Sequence, residues 1–238
     1  MSISSAPIAV LAAEVIATQE LTPCMRRIIL GGEAIRRFEP DRAGQWVKLF
    51  LELQGAVINR AYTVRRFDPV LHRMEIDIVL HGHGGASGWA ARAKPNDRLG
   101  LSGPRAGYHA DADAGWLLLA GDETALPAIL SILEIEPASR RILAYLEVAD
   151  RTAEQAVFGS HQPIWVHRGT TPVGEKLLAM IEAASLPLDA GEAWIAGEAG
   201  LVRRLRRHLR NRPGLPAIRI RAKGYWTPGA TDYREPRP

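Results

Sequence analysis

From Trp116 onward the chain repeats one pattern: a short, wholly apolar run, then a helical stretch, then another apolar run. Trp116–Gly121, Arg141–Glu147, Pro163–His167, Ala193–Ala196 and Ala217–Ala222 read as strands. Ala125–Ile135, Glu175–Ala184 and Leu201–Arg210 read as the helices between them. Strands with no polar face need cover on both sides, and helices linking successive strands supply it. The pattern therefore implies an α/β domain built on a mostly parallel sheet.

Before Pro104 the texture differs. Ile8–Thr18, Met25–Leu30, Gln45–Leu53, Ile58–Arg66 and Met74–Leu80 are rich in β-branched and apolar residues, and Gly31-Gly32, Asp68-Pro69 and Gly82–Gly85 punctuate them. A brief helix over Ala86–Ala93 and a last strand over Arg98–Ser102 complete the region. Five or six antiparallel strands with one small helix imply a β-barrel. The expected organisation is a barrel domain over residues 1–110 and an α/β domain over 111–238, with the break within Gly107–Asp113.

Composition narrows the function classes. At 238 residues, 47% hydrophobic and 24% charged, the chain can bury two cores and is not disordered. No apolar run reaches the roughly 18 residues of a membrane span. The opening stretch carries no basic residue ahead of its apolar run and reaches Glu14 early, so no signal peptide is expected. The lone Cys24 forbids an intrachain disulfide and fits a reducing cytosol. Thirty basic against twenty-six acidic residues leave +4, which favours anionic ligands weakly and does not mark a nucleic-acid binder.

Five stretches could carry chemistry. In Arg60-Ala61-Tyr62-Thr63-Val64-Arg65-Arg66, strand alternation puts Arg60 and Tyr62 on one face and Thr63 on the other. A guanidinium beside a phenol suits a ligand with a phosphate and a flat ring; a solvated edge strand accounts for the residues equally well. His81-Gly82-His83-Gly84-Gly85-Ala86-Ser87 leads into a helix whose free amides and dipole attract an anion, with Ser87 as a further donor. A metal site on His81 and His83 lacks a third ligand, and a plain glycine turn is the simplest reading.

Ala120-Gly121-Asp122-Glu123-Thr124-Ala125-Leu126-Pro127 ends a strand and opens a helix, where α/β sheets bind ligands, but lacks the G-x-G-x-x-G fingerprint. Thr124 reads locally as an N-cap with Pro127 in the first turn. Leu201–Arg210 is amphipathic, with Leu201, Leu205 and Leu209 as the buried stripe and arginines elsewhere. An RNA or membrane-surface helix is one reading, a solvated face the commoner one. Lys223-Gly224-Tyr225-Trp226 follows the final expected strand, where Trp226 either closes a pocket over a flat ligand or anchors the chain end.

Together these motifs resemble the siderophore-interacting protein family of flavin-dependent ferric-siderophore reductases, from about Glu14 to Gly229. The resemblance rests on R-A-Y-T-V-R at Arg60–Arg65, H-G-x-G-G-A-S-x-W-A at His81–Ala90, A-G-D-E-T-A-L-P-A-I at Ala120–Ile129, G-E-A-G at Gly197–Gly200 and G-Y-W at Gly224–Trp226. It implies a fold like ferredoxin–NADP reductase: an N-terminal antiparallel FAD-binding β-barrel, then a C-terminal α/β nicotinamide-binding domain.

By the same resemblance Arg60 holds the flavin diphosphate, Tyr62 packs on the isoalloxazine, Thr63 approaches its N5 edge, and Val64 and Arg65 continue along the cofactor. His81, Gly85, Ala86 and Ser87 wrap the phosphates. Glu123 and Thr124 sit near the nicotinamide, Glu198 lines the nucleotide cleft, and Trp226 closes the site. Lys48, with Lys223, faces the ferric siderophore. The family's proline and glycine are replaced by Gly85 and Asn96, which implies a looser phosphate loop.

The implied cofactors are FAD with NADPH or NADH, and Arg151 and Arg168 are candidates for a 2′-phosphate. A ferric siderophore is the expected small-molecule partner, and a ferredoxin is an alternative donor. The chain is expected to be a cytoplasmic monomer, with neither a nucleic-acid partner nor stable membrane association. A general flavin oxidoreductase, a non-catalytic siderophore-binding module and a basic-helix RNA binder are the competing functions.

Overall fold

The computed structural model describes residues 9–38, 41–82, 84–230 and 233. Ile8 and His83 of the expected elements lie outside these residues. The chain divides into two compact units between Tyr108 and His109.

The first unit contains β1 (Leu11–Thr22), β2 (Met25–Gly31), α1 (Glu33–Arg36), β3 (Trp46–Leu53), β4 (Ala56–Thr63), β5 (Arg66–Asp68), β6 (Arg73–Val79), α2 (Gly85–Arg92) and β7 (Arg98–Arg105). Seven antiparallel strands run in the order β4-β3-β7-β1-β2-β6-β5. Alternation builds the interior: on β3, Val47, Leu49 and Leu51 are buried while Trp46, Lys48 and Phe50 are half-buried. They join Val15, Ile28, Leu30, Ile76 and Leu101 in one apolar core.

The outermost strands of that order, β4 and β5, are consecutive in the chain. Ile58–Arg66, expected as one strand, instead changes partners. Val64 N–H donates to Gln45 O at 2.7 Å, and Arg65 N–H donates to Glu75 O at 2.9 Å on the opposite flank. A twisted sheet whose first and last strands are one continuous segment closes on itself, which makes the barrel.

The second unit contains β8 (Trp116–Gly121), α3 (Leu126–Ile135), β9 (Arg141–Val148), β10 (Ile164–His167), α4 (Glu175–Ala183), β11 (Gly191–Glu198), α5 (Ala199–Leu209) and β12 (Ile220–Trp226). Every strand pair is parallel, in the order β10-β9-β8-β11-β12. All six residues of β8 are buried, as a central strand covered on both faces requires. Strand order reverses between β8 and β11.

One expected strand shifts. Ala217–Arg219 is a 3₁₀ turn, and Lys223–Trp226 lies inside the last strand rather than after it. Pro216 holds the entry extended, and pairing starts at Ile220 opposite Ala193. Gly224 then falls opposite Gly197, where a Cβ would lie 2.9 Å from Ala199 Cβ. On α5, Leu201, Leu205 and Leu209 are buried while Arg203, Arg206 and Arg207 face solvent, the arrangement of a sheet-covering helix.

Candidate functional site

In the first unit, β4 sets the face that each motif residue uses. Tyr62 lies opposite Val47 and Arg60 opposite Leu49, whereas Thr63 pairs with Trp46 and Lys48 with Ala61. Arg60 and Tyr62 therefore share one side of the sheet, and Lys48 and Thr63 take the other. Tyr62 packs against the core, half-buried, while Thr63, Val64 and Arg65 are buried. Arg60 is half-buried and its guanidinium donates to Asn59 O at 2.8 Å.

Burial pushes the Tyr62 phenol up to about 12, against the downward pull of the Arg60 charge. The ring thus stays neutral and keeps a donor hydrogen throughout the physiological range. Because the folded value lies above the ordinary one of about 10, the stabilisation is fully present below that pH and is lost as pH rises toward 12. The expected loss is about 2 kcal/mol, and Tyr62→Phe should abolish it. Alkaline unfolding of the two forms, followed with the tyrosinate ultraviolet band, checks this; identical curves would refute it.

The start of α2 (Gly85–Arg92) is the segment expected to meet an anion. Its first helical bond runs from Gly88 N–H to Gly84 O at 3.1 Å, and Gly84 offers no capping side chain. Helix geometry leaves the amides of Gly85, Ala86 and Ser87 without partners inside the helix. A Cβ on Gly85 would lie 2.7 Å from Leu53 Cδ1 and 2.8 Å from Ile58 Cδ1, so the helix start sits directly on β3 and β4, the latter bearing Arg60. A helix N-terminus beside an arginine strand fits a diphosphate-containing cofactor. Ser87 is buried and accepts the backbone N–H of His81 at 3.1 Å, which ties His81 to the first turn of α2.

Backbone hydrogen bonds join the Asn96 turn to β1. Asn96 takes φ 74°, a left-handed conformation that asparagine tolerates better than most residues. Its N–H donates to Val15 O at 2.9 Å, and Val15 N–H donates to Asp97 O at 2.9 Å.

In the second unit three motifs far apart in sequence meet at one carboxylate. Asp122 follows β8 and is fully buried. Its Oδ1 accepts the Thr124 N–H at 2.9 Å and the Thr124 hydroxyl at 2.5 Å. Its Oδ2 accepts the Glu198 N–H at 2.7 Å and the Trp226 indole N–H at 2.9 Å. Thr124, Glu198 and Trp226 had each been marked by the sequence; the residue that joins them had not. Thr124 is accordingly not the N-cap of α3, whose cap position is Ala125. Glu198 caps α5, accepting Leu201 N–H at 2.7 Å.

Glu123, also buried, is paired with Arg168 at 2.5 Å; burial raises its carboxyl, and the Arg168 guanidinium counters that. Arg151 is exposed just beyond β9. Glu147 is fully buried, and burial raises its carboxyl too; it accepts Gly174 N–H at 2.7 Å and Leu177 N–H at 3.2 Å, holding the start of α4 from the sheet. Lys48 is half-buried on β3 and Lys223 exposed on β12. Among the described residues no group of three or more His, Cys, Asp or Glu could hold a metal ion, and no helix is long and apolar enough to cross a membrane.

An antiparallel barrel followed by a parallel sheet of strand order 3-2-1-4-5 is the fold of the ferredoxin–NADP reductase type. A ferredoxin NADP+ reductase from Neisseria gonorrhoeae shares this fold at 18% identity, with a TM-score of 0.70 over 91% of this chain and 99% of the other. The chain belongs to the siderophore-interacting protein family. The model of the siderophore-interacting FAD-binding domain matches residues 14–59 and 54–108, and that of the siderophore-interacting protein matches 114–229.

The ferric vibriobactin reductase ViuB of Vibrio cholerae is 31% identical over 89% of this chain and 88% of its own length. The NADPH-dependent ferric-chelate reductase of Escherichia coli is 28% identical over 89% and 91%. A siderophore utilization protein from T. fusca superposes with a TM-score of 0.86 at 33% identity, covering 98% of both chains.

Proposed function

We propose that this chain is a cytoplasmic ferric-siderophore reductase that holds FAD in its first unit and draws electrons from NADPH or NADH bound at its second. The observation that carries the reading is the 31% identity to a ferric vibriobactin reductase across 89% of the chain, which spans both units. The name of the Escherichia coli relative favours NADPH as donor.

Bound FAD supplies the conversion of a two-electron hydride into single electrons, which Fe(III) needs. The residues do the rest by position and charge. Arg60 and the amides of Gly85 and Ala86 neutralise the diphosphate. Tyr62, kept neutral by burial, offers a flat ring and a hydrogen donor, and Thr63, Val64 and Arg65 line the cofactor beyond it. Ser87 and His81 fix the loop over the phosphates. Asp122 holds Thr124, Glu198 and Trp226 in one arrangement, and Arg151 and Arg168 are the cations offered to a 2′-phosphate. Oxygen ligands that grip Fe(III) hold Fe(II) less well, so reduction releases the metal.

The reading is tested by the visible spectrum of the purified chain without oxygen. A flavin band that bleaches on adding NADPH and returns on adding a ferric siderophore is the expected result. A flavin that no nicotinamide bleaches would move the electron source to a protein donor such as a ferredoxin. A colourless protein that fails to take up FAD would leave only a siderophore-binding module.

Lys48 supplies positive charge on the sheet face away from Tyr62. Lys48→Ala should raise KM for an anionic ferric complex about five- to tenfold while changing that for a neutral one less than twofold. Equal effects on the two complexes would remove Lys48 from substrate capture.

A further inference from the structure

Between Leu201 and Arg221 the chain carries eight arginines and no acidic residue. Four of them, Arg203, Arg206, Arg207 and Arg210, recur at i, i+3, i+4 and i+7, so they form one stripe along α5 to its C-cap. All four are exposed, and among the described residues none of them is ion-paired.

The stripe ends at a cavity of about 430 Å³ whose lining includes Arg210, Arg212, Arg219, Leu215 and Pro216. Arg212 is fixed there by donating to His208 Nε2 at 3.2 Å and to Glu182 O at 3.0 Å, and neither acceptor is an anion. Arg219 is neutralised by Asp111 at 2.7 Å, with Asp113 at 3.7 Å. The guanidinium charges of Arg210 and Arg212 are thus left uncancelled at one concave site, which suits a phosphate.

Two aliphatic side chains project beside this cavity. Ile218, between Pro216 and Arg219, is 89% exposed, and Leu188, two residues before the lining residue Ala190, is 77% exposed. Their loops form one rim: Gly191 N–H donates to Gly214 O at 2.9 Å, and a Cβ on Gly214 would lie 2.5 Å from Leu188 O. The carboxylate of Asp189, an acid on that rim, lies against Gly115. The rim stands at the amino ends of β11 and β12, opposite the carboxyl ends where α/β sheets take up nucleotides.

We propose that this rim and the arginine stripe form a reversible docking surface for an anionic phospholipid membrane, with a headgroup phosphate in the arginine cavity and Leu188 and Ile218 entering the acyl boundary. Positive charge draws the chain to an anionic leaflet, and shallow aliphatic insertion holds it there. Nucleic acid fits less well: surfaces that bind single strands set aromatic rings among the cations, and the side chains projecting here are aliphatic. With the amino ends of the strands toward the lipid, their carboxyl ends stay open to solution.

The test is sedimentation of the full chain with sucrose-loaded vesicles at low ionic strength. Vesicles of equal parts phosphatidylglycerol and phosphatidylcholine should carry the chain down, and pure phosphatidylcholine should not. Arg207→Ala with Arg210→Ala should weaken the association about 25-fold, at about fivefold for each arginine near an anionic surface. Ile218→Ser, at a position with almost no packing to lose, should weaken it about tenfold and leave its salt dependence unchanged. Circular dichroism of each variant should match that of the native chain. Equal sedimentation with both vesicles, none with either, or native binding by Ile218→Ser would overturn the proposal. Binding of inorganic phosphate without retention on vesicles would overturn it in favour of a soluble anion. Salt-dependent retention of RNA without vesicle binding would overturn it in favour of a nucleic-acid surface.

Discussion

Arg60→Ala should come off the purification column without flavin. The guanidinium stands on the strand that the start of α2 abuts, and charge-assisted bonds to a diphosphate contribute about 1.5–3 kcal/mol each. Loss of two such bonds weakens FAD by about 100-fold to 10,000-fold, measured by quenching of flavin fluorescence on titration. Arg60→Lys should recover only part of this, because an ammonium cannot make the paired, forked contact. Far-ultraviolet circular dichroism should be unchanged, since Arg60 is not in the apolar core. An alanine variant that keeps FAD at native affinity would take the arginine out of the cofactor site.

The second large effect is on stability, and it is confined to the first unit. Asp77 is buried on β6, directly opposite Arg27 on β2. The pair is bidentate, at 2.7 Å and 2.8 Å, and Arg27 also reaches Glu75 at 2.9 Å. Asp77→Ala strips a mostly buried guanidinium of its bidentate partner, which costs about 3 kcal/mol. Thermal unfolding should show the transition of the barrel unit moving down by several degrees while the α/β unit keeps its own. Replacing Arg27, Glu75 and Asp77 together with apolar residues of similar volume should recover most of the loss, since the penalty lies in a buried charge left short of partners. A transition shift that the triple replacement does not reverse would locate the penalty elsewhere.

What could be read in the sequence follows the range of the interactions concerned. β8 shows itself because six consecutive apolar residues have no other use, and the arginine face of α5 because helical periodicity is local. The extended character of R-A-Y-T-V-R shows in the sequence, but not its break into β4 and β5. The change of hydrogen-bond partners at Val64 and Arg65 depends on residues distant in sequence and leaves no local mark. Asp122 was passed over for the same reason. In sequence it is an aspartate in a turn, and only folding brings it to Glu198 and Trp226, 76 and 104 residues away. The final strand was placed three residues early because Ala217-Ile218 looks strand-like. Pairing with β11 and the extended Pro216 decide its true start. Asn96 stands where the family has glycine because asparagine tolerates the left-handed backbone of that position.

The partner change at Val64 and Arg65 has a consequence for the lifetime of the protein. The strand that would grip the flavin is also the seam of the barrel, so filling the site and shutting the seam are one linked equilibrium. A ligand that binds only the shut form adds about 2.7 kcal/mol at a hundred times its dissociation constant. Amide exchange at Val64 and Arg65 should slow by the matching factor when FAD is added. Flavin supply would then set how long each copy survives proteolysis.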